Sequence, residues 1–555
     1  MNGLTILLIS LAVLIAAYLL YGRWLAKIWG VDPKRKTPAY EMEDGVDYEP
    51  ADTMVVFGHQ FASIAGAGPI NGPIQAAVFG WVPVLLWILV GGVFFGAVQD
   101  FSSMFASVRN KGRTIGYIIE EYIGKTGKKL FLLFTWLFCI LVVAAFADVV
   151  ASTFNGFDAA GAFVPANGSV AMTSCLFILE AVALGMILRF CKLNKWINTL
   201  LAILLLVGGV AAGMLCPIYV PAQTWHLIIF AYVLLASVLP VWSLLQPRDY
   251  LNSFLLIAMI VGAIVGILFT NPDIHLPAFT TFYVEGTGSM FPILFVTIAC
   301  GAVSGFHSLI SSATSSKQIK NERAMLPVSF GAMLMESMLA VVALIAAASF
   351  ATGEATSLGY TTPAQIFAGG IASFLQTIGL PYNLVYELNT LAVSAFALTS
   401  LDSVARIGRL SFQELFLDSS IADDQIKGWR KLFTNKYFST VLTLGLSYAL
   451  AKAGYQNIWP LFGSANQLLS ALALIAVSVY MKKTKRKGFM LWLPMVFMLA
   501  VTLTALVMKM IELISAPTPG NMLQLAFAAA LFTLGVLVAI QGLRKLTQKE
   551  PSACA

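Results

Sequence analysis

Charge is what this sequence has least of. Of 555 residues, 27 are Asp or Glu, 34 are Lys or Arg and 4 are His, so that charged residues make up 11% against 59% hydrophobic. An average soluble domain carries about 25% charge, and a soluble chain of this length would have to cover several domain surfaces. The scarcity excludes an ordinary soluble enzyme and a disordered chain. It also excludes a nucleic-acid binder, because no contiguous basic face is present to hold a duplex. Cysteine is scarce as well: Cys139, Cys175, Cys191, Cys216, Cys300 and Cys554 include no C-x-x-C pair. Neither a disulfide framework, a metal site nor a resident cofactor is expected. No G-x-x-x-x-G-K-[ST] occurs, so no ATP motor is built in. The longest polar stretches, 23–52 and 406–433, are too short to fold alone. Their size argues against a sensor kinase, an ATP-driven pump or a cytosolic catalytic head, and the chain is expected not to be an enzyme.

What is present in excess is long apolar sequence. About 20 apolar residues cross the hydrocarbon core as a helix, and about fifteen such segments are predicted: 3–22, 53–79, 80–106, 129–154, 168–190, 195–215, 223–245, 251–270, 290–315, 324–350, 384–405, 434–453, 457–480, 489–511 and 521–542. They are continuous and rich in Leu, Ala and Val, without the ten-residue alternation of a barrel. The predicted class is therefore an all-α polytopic membrane protein, with the bilayer as its main surroundings. Arg and Lys cluster in alternate loops, for example Arg109 to Lys129, Arg248, Arg406 to Lys431 and Lys482 to Lys487, while the loops at 155–167, 216–222, 271–289, 351–383 and 512–520 have none. The positive-inside rule then places the N-terminus outside and the C-terminus in the cytoplasm. The first apolar run is followed, not preceded, by its charges, so it is expected to be a membrane anchor and not a cleaved signal. The membrane expected is a bacterial inner membrane.

Three segments contradict their apolar surroundings. In Phe57–Pro73, three glycines and two prolines crowd within eight residues. Proline deletes a helix hydrogen bond and clashes with the preceding turn. In hydrocarbon such a break survives only where it lines a cavity. Freed carbonyls of Gly66, Ala67 and Gly68 are expected to face a cation, with Ser63 and Pro69 beside them. The amides of Asn71 and Gly72 are expected to open an outer half-helix whose positive end attracts an anion. The second segment, Ser237–Tyr250, is bracketed by Pro240 and Pro247 and carries Trp242, Ser243 and Gln246. It lies five spans after the first and in the opposite direction, the signature of a five-plus-five inverted repeat. The third, 297–316, sets Ser304, Ser308, Ser311 and Ser315 at i, i+4, i+7 and i+11, one stripe of a helix. The stripe is expected to ligate Na⁺ or bond a polar solute, against the alternative that each serine bonds its own helix.

Ionisable groups inside a membrane are rare and functional by default. His59 shares a face with Ser63 and Gly66, and His307 lies in the third broken segment. Both titrate near neutral pH and are candidates for a coupling proton, as is Asp148. Asp100 and Asp402, near helix ends, are read as structural or gating partners of Arg109 and Arg406. Glu180 and Glu336 lie near mid-span. The interrupted Trp459–Gln467 stretch is expected to pack against the core.

The stretches Phe57–Pro73, Gly96–Asp100, Gln246–Asn252, Phe291–Gln318 and Trp459–Leu469 resemble the carbon starvation protein A family of bacterial inner-membrane carriers. The resemblance implies membership of the amino acid–polyamine–organocation superfamily with a LeuT-like core. It also implies uptake of pyruvate or short peptides under carbon limitation, driven by protons; the hydroxyl stripe keeps Na⁺ as the alternative coupling ion. The domain reading is an N-terminal accessory helix at 1–22, a ten-helix transport core at 53–405, a cytoplasmic loop at 406–433 and four accessory helices in 434–555. The expected site lies where Ser63, Gly66, Ala67, Gly68, Pro69, Asn71 and Gly72 face Trp242, Ser243 and Gln246. His59, Asp148, Ser304, His307, Ser308 and Ser311 surround the coupling ion. A channel and a membrane receptor are the competing classes: a channel would only equilibrate its solute, and a receptor would bind without flux.

Overall fold

The computed structural model describes residues 1–44, 48–158, 160–191, 194–239, 244–351, 353–360, 362–417 and 428–548. Among these, the chain is helical except for turns and one two-stranded hairpin, Tyr283–Val284 with Gly288–Ser289. Helices dominate because a backbone in hydrocarbon has no water to bond, so each segment must satisfy its own polar groups.

The spanning and half-spanning helices are α1 (Gly3–Trp29), α2 (Thr53–Ile64), α3 (Gly68–Ala76), α4 (Trp81–Arg109), α5 (Lys125–Thr153), α6 (Pro165–Phe190), α7 (Lys195–Leu215), α8 (Ala222–Val238) and α9 (Leu245–Thr270). They continue as α10 (Met290–Thr297), α11 (Ala299–Ala302), α12 (Gly305–Ala313), α13 (Glu322–Ala348), α14 (Pro363–Gln376) and α15 (Tyr382–Phe416). The last are α16 (Lys436–Ala451), α17 (Tyr455–Lys483), α18 (Phe489–Ser515) and α19 (Pro519–Thr547). Among the described residues, 11 helices are long and apolar enough to cross a membrane. The other four expected segments take different forms: two are the broken helices α2–α3 and α10–α12, and two are short, α8 with 17 residues and α16 with 16.

Four local expectations are corrected. The segment 351–383, expected as a loop, holds α14. Thr362 and Gln365 cap its start reciprocally and Pro363 supplies its first turn. Its 14 residues and paired glycines kept it below the length of a span. The expected break at Ser237–Tyr250 does not interrupt one helix: α8 ends at Val238 and α9 begins at Leu245. Pro240, Trp242 and Ser243 lie outside the described residues, and of Gln246 only the backbone is described. The serine segment is not one helix. Its backbone turns extended at Val303 and Ser304, after an earlier break at Ile298. Conversely, Pro460 sits inside an uninterrupted 29-residue α17. Pro460 lies past the first turn of α17, where its missing N–H removes one intrahelical bond, and the helix continues through it.

The packing axis is α5 against α15, the most extensive helix–helix contact in the molecule. Around it lie α8, α14, α16, α17 and α19, while α4, α13 and the two broken helices pack on one another. Three helices carry a π-helical turn: α1 at Ala17–Gly22, α4 at Gly92–Gly96 and α13 at Leu326–Gly331. Such turns concentrate at functional places because they re-aim the following side chains.

Candidate functional site

The two broken helices meet at their breaks. A Cβ placed on Gly68 would stand 2.5 Å from Cys300 Sγ, and one on Gly72 would stand 2.6 Å from the Thr297 carbonyl and 3.1 Å from Ile298 Cα. A Cβ on Gly66 would stand 2.7 Å from Ser400 Oγ of α15 and 3.8 Å from the Phe146 ring of α5. Only glycine permits this approach, which explains the glycine cluster noted in the sequence. Phe146 is backed by Trp459 and Phe462 at ring-centroid distances of 6.4 and 5.7 Å.

At the first break, Ala65 leaves the helical region (φ −74°, ψ 65°) and α3 restarts at Gly68. Gly66 N–H bonds Ile64 O, and Ala67 O accepts from Ile70 and Asn71. The outer half-helix therefore opens three residues earlier than expected: the amide of Asn71 is occupied, and the open amides belong to Ala67 and Gly68. Among the described residues those two amides have no acceptor, and the carbonyls of Ala65 and Gly66 have no donor. Asn71 is 1% exposed with neither its Oδ1 nor its Nδ2 hydrogen-bonded. An open main chain and an unbonded amide side chain, buried together, form a site for a polar ligand.

The second break is closed by α17 and α4. Asn466 Oδ1 accepts from Phe306 N (3.1 Å) and Ser304 Oγ (3.2 Å). Gln467 Nε2 donates to Phe295 O (2.6 Å), Trp459 Nε1 to Thr297 O (3.2 Å) and Gln99 Nε2 to Ser304 O (2.7 Å). The Trp459–Gln467 stretch thus packs against the core as expected, and its amides supply the bonds that the break removes. Asn466→Ala should leave the Phe306 amide and the Ser304 hydroxyl unpaired in the dry interior, at about 1–3 kcal/mol. A lowered melting temperature in detergent, larger than for Asn457→Ala at the exposed start of α17, checks it.

The serine stripe is consumed by protein contacts, a correction to its expected role as an open ligand set. Ser304 bonds Asn466, and Ser308 Oγ donates to Gly305 O at 2.6 Å. Ser311 Oγ accepts from Gln60 Nε2 at 2.9 Å, and Ser315 Oγ donates to Gln60 Oε1 at 2.6 Å. The side chain joining α2 to α12 is therefore Gln60 and not His59, which is half-buried, as is Ser63. His307 is instead held between two carboxylates: its Nδ1 lies 3.0 Å from Asp100 Oδ2 on α4 and its Nε2 lies 3.2 Å from Glu336 Oε2 on α13.

Other expected pairings are also redistributed. Asp100 does not meet Arg109, whose Nη2 donates to Glu322 Oε2 (2.7 Å) and Gly30 O (2.8 Å). Asp402 pairs with Arg248 and accepts from Tyr232 OH at 2.7 Å. Arg248, expected as a loop charge, is 3% exposed inside α9. Arg406 instead donates to the carbonyls of Ala236 and Leu239, both at 2.9 Å, closing the end of α8. Among the described residues Asp148 bonds neither broken helix: its Oδ1 is 2.7 Å from His226 Nε2, and its Oδ2 accepts from Tyr455 N (2.6 Å) at the start of α17. Gln60, Gln99, Tyr232, His226 and Asn466 were not anticipated as site residues, nor was Ser470, whose Oγ donates to Gln99 Oε1. Gln99, Arg248 and Asn466 all lie inside polar-bearing apolar stretches singled out in the sequence, and their polarity in an apolar run was the available signal.

The family model described as carbon starvation protein CstA matches residues 2–359 and 348–505. The peptide transporter CstA of Escherichia coli (strain K12) is 34% identical over 583 residues, covering 91% of this chain and 80% of that protein. The pyruvate/proton symporter BtsT of the same organism is 33% identical over 607 residues, covering 92% of this chain and 82% of that protein. A crystal structure of an Eremococcus coleocola manganese transporter covers 89% of this chain and 95% of its own, at 12% identity and a TM-score of 0.48, too loose a likeness to bear on the site.

Proposed function

The chain belongs to the carbon starvation protein CstA family, a multi-pass membrane transporter and not an enzyme, and from that premise we propose that it is a proton-coupled symporter importing a small carboxylate, pyruvate or the C-terminus of a short peptide. One relative is named a peptide transporter and another a pyruvate/proton symporter, and the two solute classes share one feature, a carboxylate. The observation that carries the reading is the open main chain at the first break. The amides of Ala67 and Gly68 lie at the positive end of α3, beside the unbonded Asn71 amide, and such an end binds a carboxylate. Import serves the cell when carbon is limiting, and it takes place across a bacterial inner membrane with the N-terminus outside and the C-terminus inside.

The architecture supports alternating access in a LeuT-like core, in a register different from the one read in the sequence. The partner of the broken α2–α3 is the broken α10–α12. Each is followed by a helix with a π turn (α4, α13), then a long helix (α5 with 29 residues, α15 with 35). Next comes a short helix (α8, α16) and then a longer one (α9, α17). Five elements repeat in order, from 53–270 to 290–483, with the hairpin α6–α7 inserted into the first half and α14 into the second. The core thus extends past 405, and α1, α18 and α19 are accessory. Opposite directions in the membrane follow from the charge asymmetry of the loops.

A second reading, Na⁺ coupling, has a specific observation in its favour. The carbonyls of Ala65 and Gly66 have no donor, and Ser400 Oγ faces Gly66. Three oxygens at a helix break suit a hard cation. Purified protein in liposomes should accumulate labelled pyruvate or a labelled dipeptide when an inward proton gradient is imposed, and should lose that accumulation with a protonophore. Accumulation driven by a sodium gradient alone would replace the proton reading by the sodium one. Equilibration without accumulation under either gradient would overturn the symporter.

A further inference from the structure

Three ionisable side chains meet in the driest part of the molecule. Asp100, His307 and Glu336 are each 0% exposed. They come from α4, α12 and α13, three elements of the repeat. The imidazole lies between the carboxylates, 3.0 Å from Asp100 Oδ2 and 3.2 Å from Glu336 Oε2. The first contact is a hydrogen bond, and the second is close without being aligned as one. Among the described residues, Asp100 Oδ1 and both oxygens of Glu336 have no hydrogen-bond partner. From α11, Cys300 is the remaining titratable neighbour of Glu336. The facing groups of α17 and α2 are uncharged: Asn466 and Ser470 reach Ser304 and Gln99, and Gln60 reaches Ser311.

Charge arithmetic fixes what such a cluster holds. With both carboxylates ionised and the imidazole neutral, the net charge is −2; with an imidazolium it is −1. Either is costly in a sealed apolar interior. One further proton makes the cluster neutral, an imidazolium against one carboxylate with the other carboxyl protonated. Both carboxylates also sit about one turn after the π-helical segments Gly92–Gly96 and Leu326–Gly331. In each helix that segment re-aims the turn bearing the acid.

We propose that Asp100, His307 and Glu336 form the proton store of the transport cycle, with the exchangeable proton on Glu336 and with His307 relaying charge to Asp100. This rests on the proton-coupled reading and locates its proton away from the solute's carboxylate site. His307 begins three residues after the break at Ser304, whose carbonyl accepts from Gln99, the residue beside Asp100. A rearrangement at the second break therefore moves both ends of the Asp100–His307 contact. The proton leaves when the rearrangement admits water to the cluster and the −1 state becomes soluble.

The test uses the full chain with Glu336→Gln, Asp100→Asn and His307→Gln. In liposomes, an inward gradient of one pH unit supports about tenfold accumulation of pyruvate at one proton per anion. Glu336→Gln should exchange internal for external labelled pyruvate yet bring that accumulation down to equilibration. Glu336→Gln and Asp100→Asn both accumulating solute as the unmodified protein does would overturn the proposal. A readout that needs no transport is infrared difference spectroscopy of the purified protein between acid and alkaline buffer. A protonated-carboxyl band that disappears in Glu336→Gln supports the store even where pyruvate is not carried; the same band persisting in that variant overturns it. Should the unmodified protein accumulate solute on a sodium gradient only, the coupling reading fails, and the infrared result still decides where the buried proton sits.

Discussion

Gly72→Ala is expected to abolish transport, by on the order of 10²-fold or more, since displacing a site by about 1 Å costs that much. In an ordinary helix the same change is favourable by up to about 1 kcal/mol, because alanine is the better helix former. Here the new methyl would stand 2.6 Å from the Thr297 carbonyl and 3.1 Å from Ile298 Cα, both main-chain atoms of the second broken helix. Neither can rotate away, so the two half-helices must part, and the open amides of Ala67 and Gly68 move with them. Gly68→Ala meets a side chain instead, with Cys300 Sγ at 2.5 Å and Cβ at 2.7 Å. That clash is removable. Gly68→Ala combined with Cys300→Gly should recover much of the lost uptake, whereas Cys300→Gly should do nothing for Gly72→Ala. The measurement is initial uptake in liposomes for the four variants, with melting temperature in detergent as the folding control. Uptake by Gly72→Ala at the unmodified rate would mean that the two breaks do not work in contact.

The same residues show which parts of the molecule were legible in the sequence. Clustered glycine and proline in an apolar run located the first break to within a few residues, because no continuous helix tolerates them in hydrocarbon. The second broken helix, α10–α12, carries no such mark: it has no proline between Thr297 and Gly305. Its break at Ile298 packs against Gly72 and its break at Ser304 against α17, and the two are bonded by Trp459, Gln467, Asn466 and Gln99. Those bonds span about 160 to 205 positions of the chain, which no local pattern encodes. Partner choice failed for a similar reason. Asp402 and Arg406 are i, i+4 neighbours on one helix, and Asp100 and Arg109 share another, yet each found its partner on a different helix, since the i, i+4 rule governs exposed faces and these faces are interior. The serine stripe holds only for Ser308 and Ser311, because Ser304 and Ser315 fall outside α12, and whether a buried hydroxyl bonds its own helix, a neighbour or a ligand depends on what packs opposite.

The largest loss of stability is expected from Asp402→Ala. Arg248 and Asp402 are 3% and 0% exposed, from α9 and α15, and Tyr232 of α8 donates to the same carboxylate at 2.7 Å. Removing the acid strands a guanidinium that cannot deprotonate, in a place with no water to receive it. Breaking one side of such a buried pair costs about 3–5 kcal/mol. Asp249, 3.2 Å from the other Arg248 nitrogen, remains but is 29% exposed and so compensates only in part. Removing both charges is a different matter: Arg248→Met with Asp402→Leu leaves no stranded ion, and pairs replaced in this way often lose little or gain. The double variant should therefore melt well above Asp402→Ala alone. Its transport then separates two roles. The cluster joins α8, α9 and α15 beside the carbonyls held by Arg406 and Arg409, so if it only fastens them, the stable double variant carries solute at the original rate. If the three helices must part and rejoin in each cycle, an apolar contact that cannot exchange its bonds with water should change the rate of the reorientation step while leaving the solute concentration for half-maximal uptake where it was. Single-turnover exchange set beside net uptake measures that difference. A double variant that melts no higher than Asp402→Ala would show that the desolvated pair is not what holds these helices together.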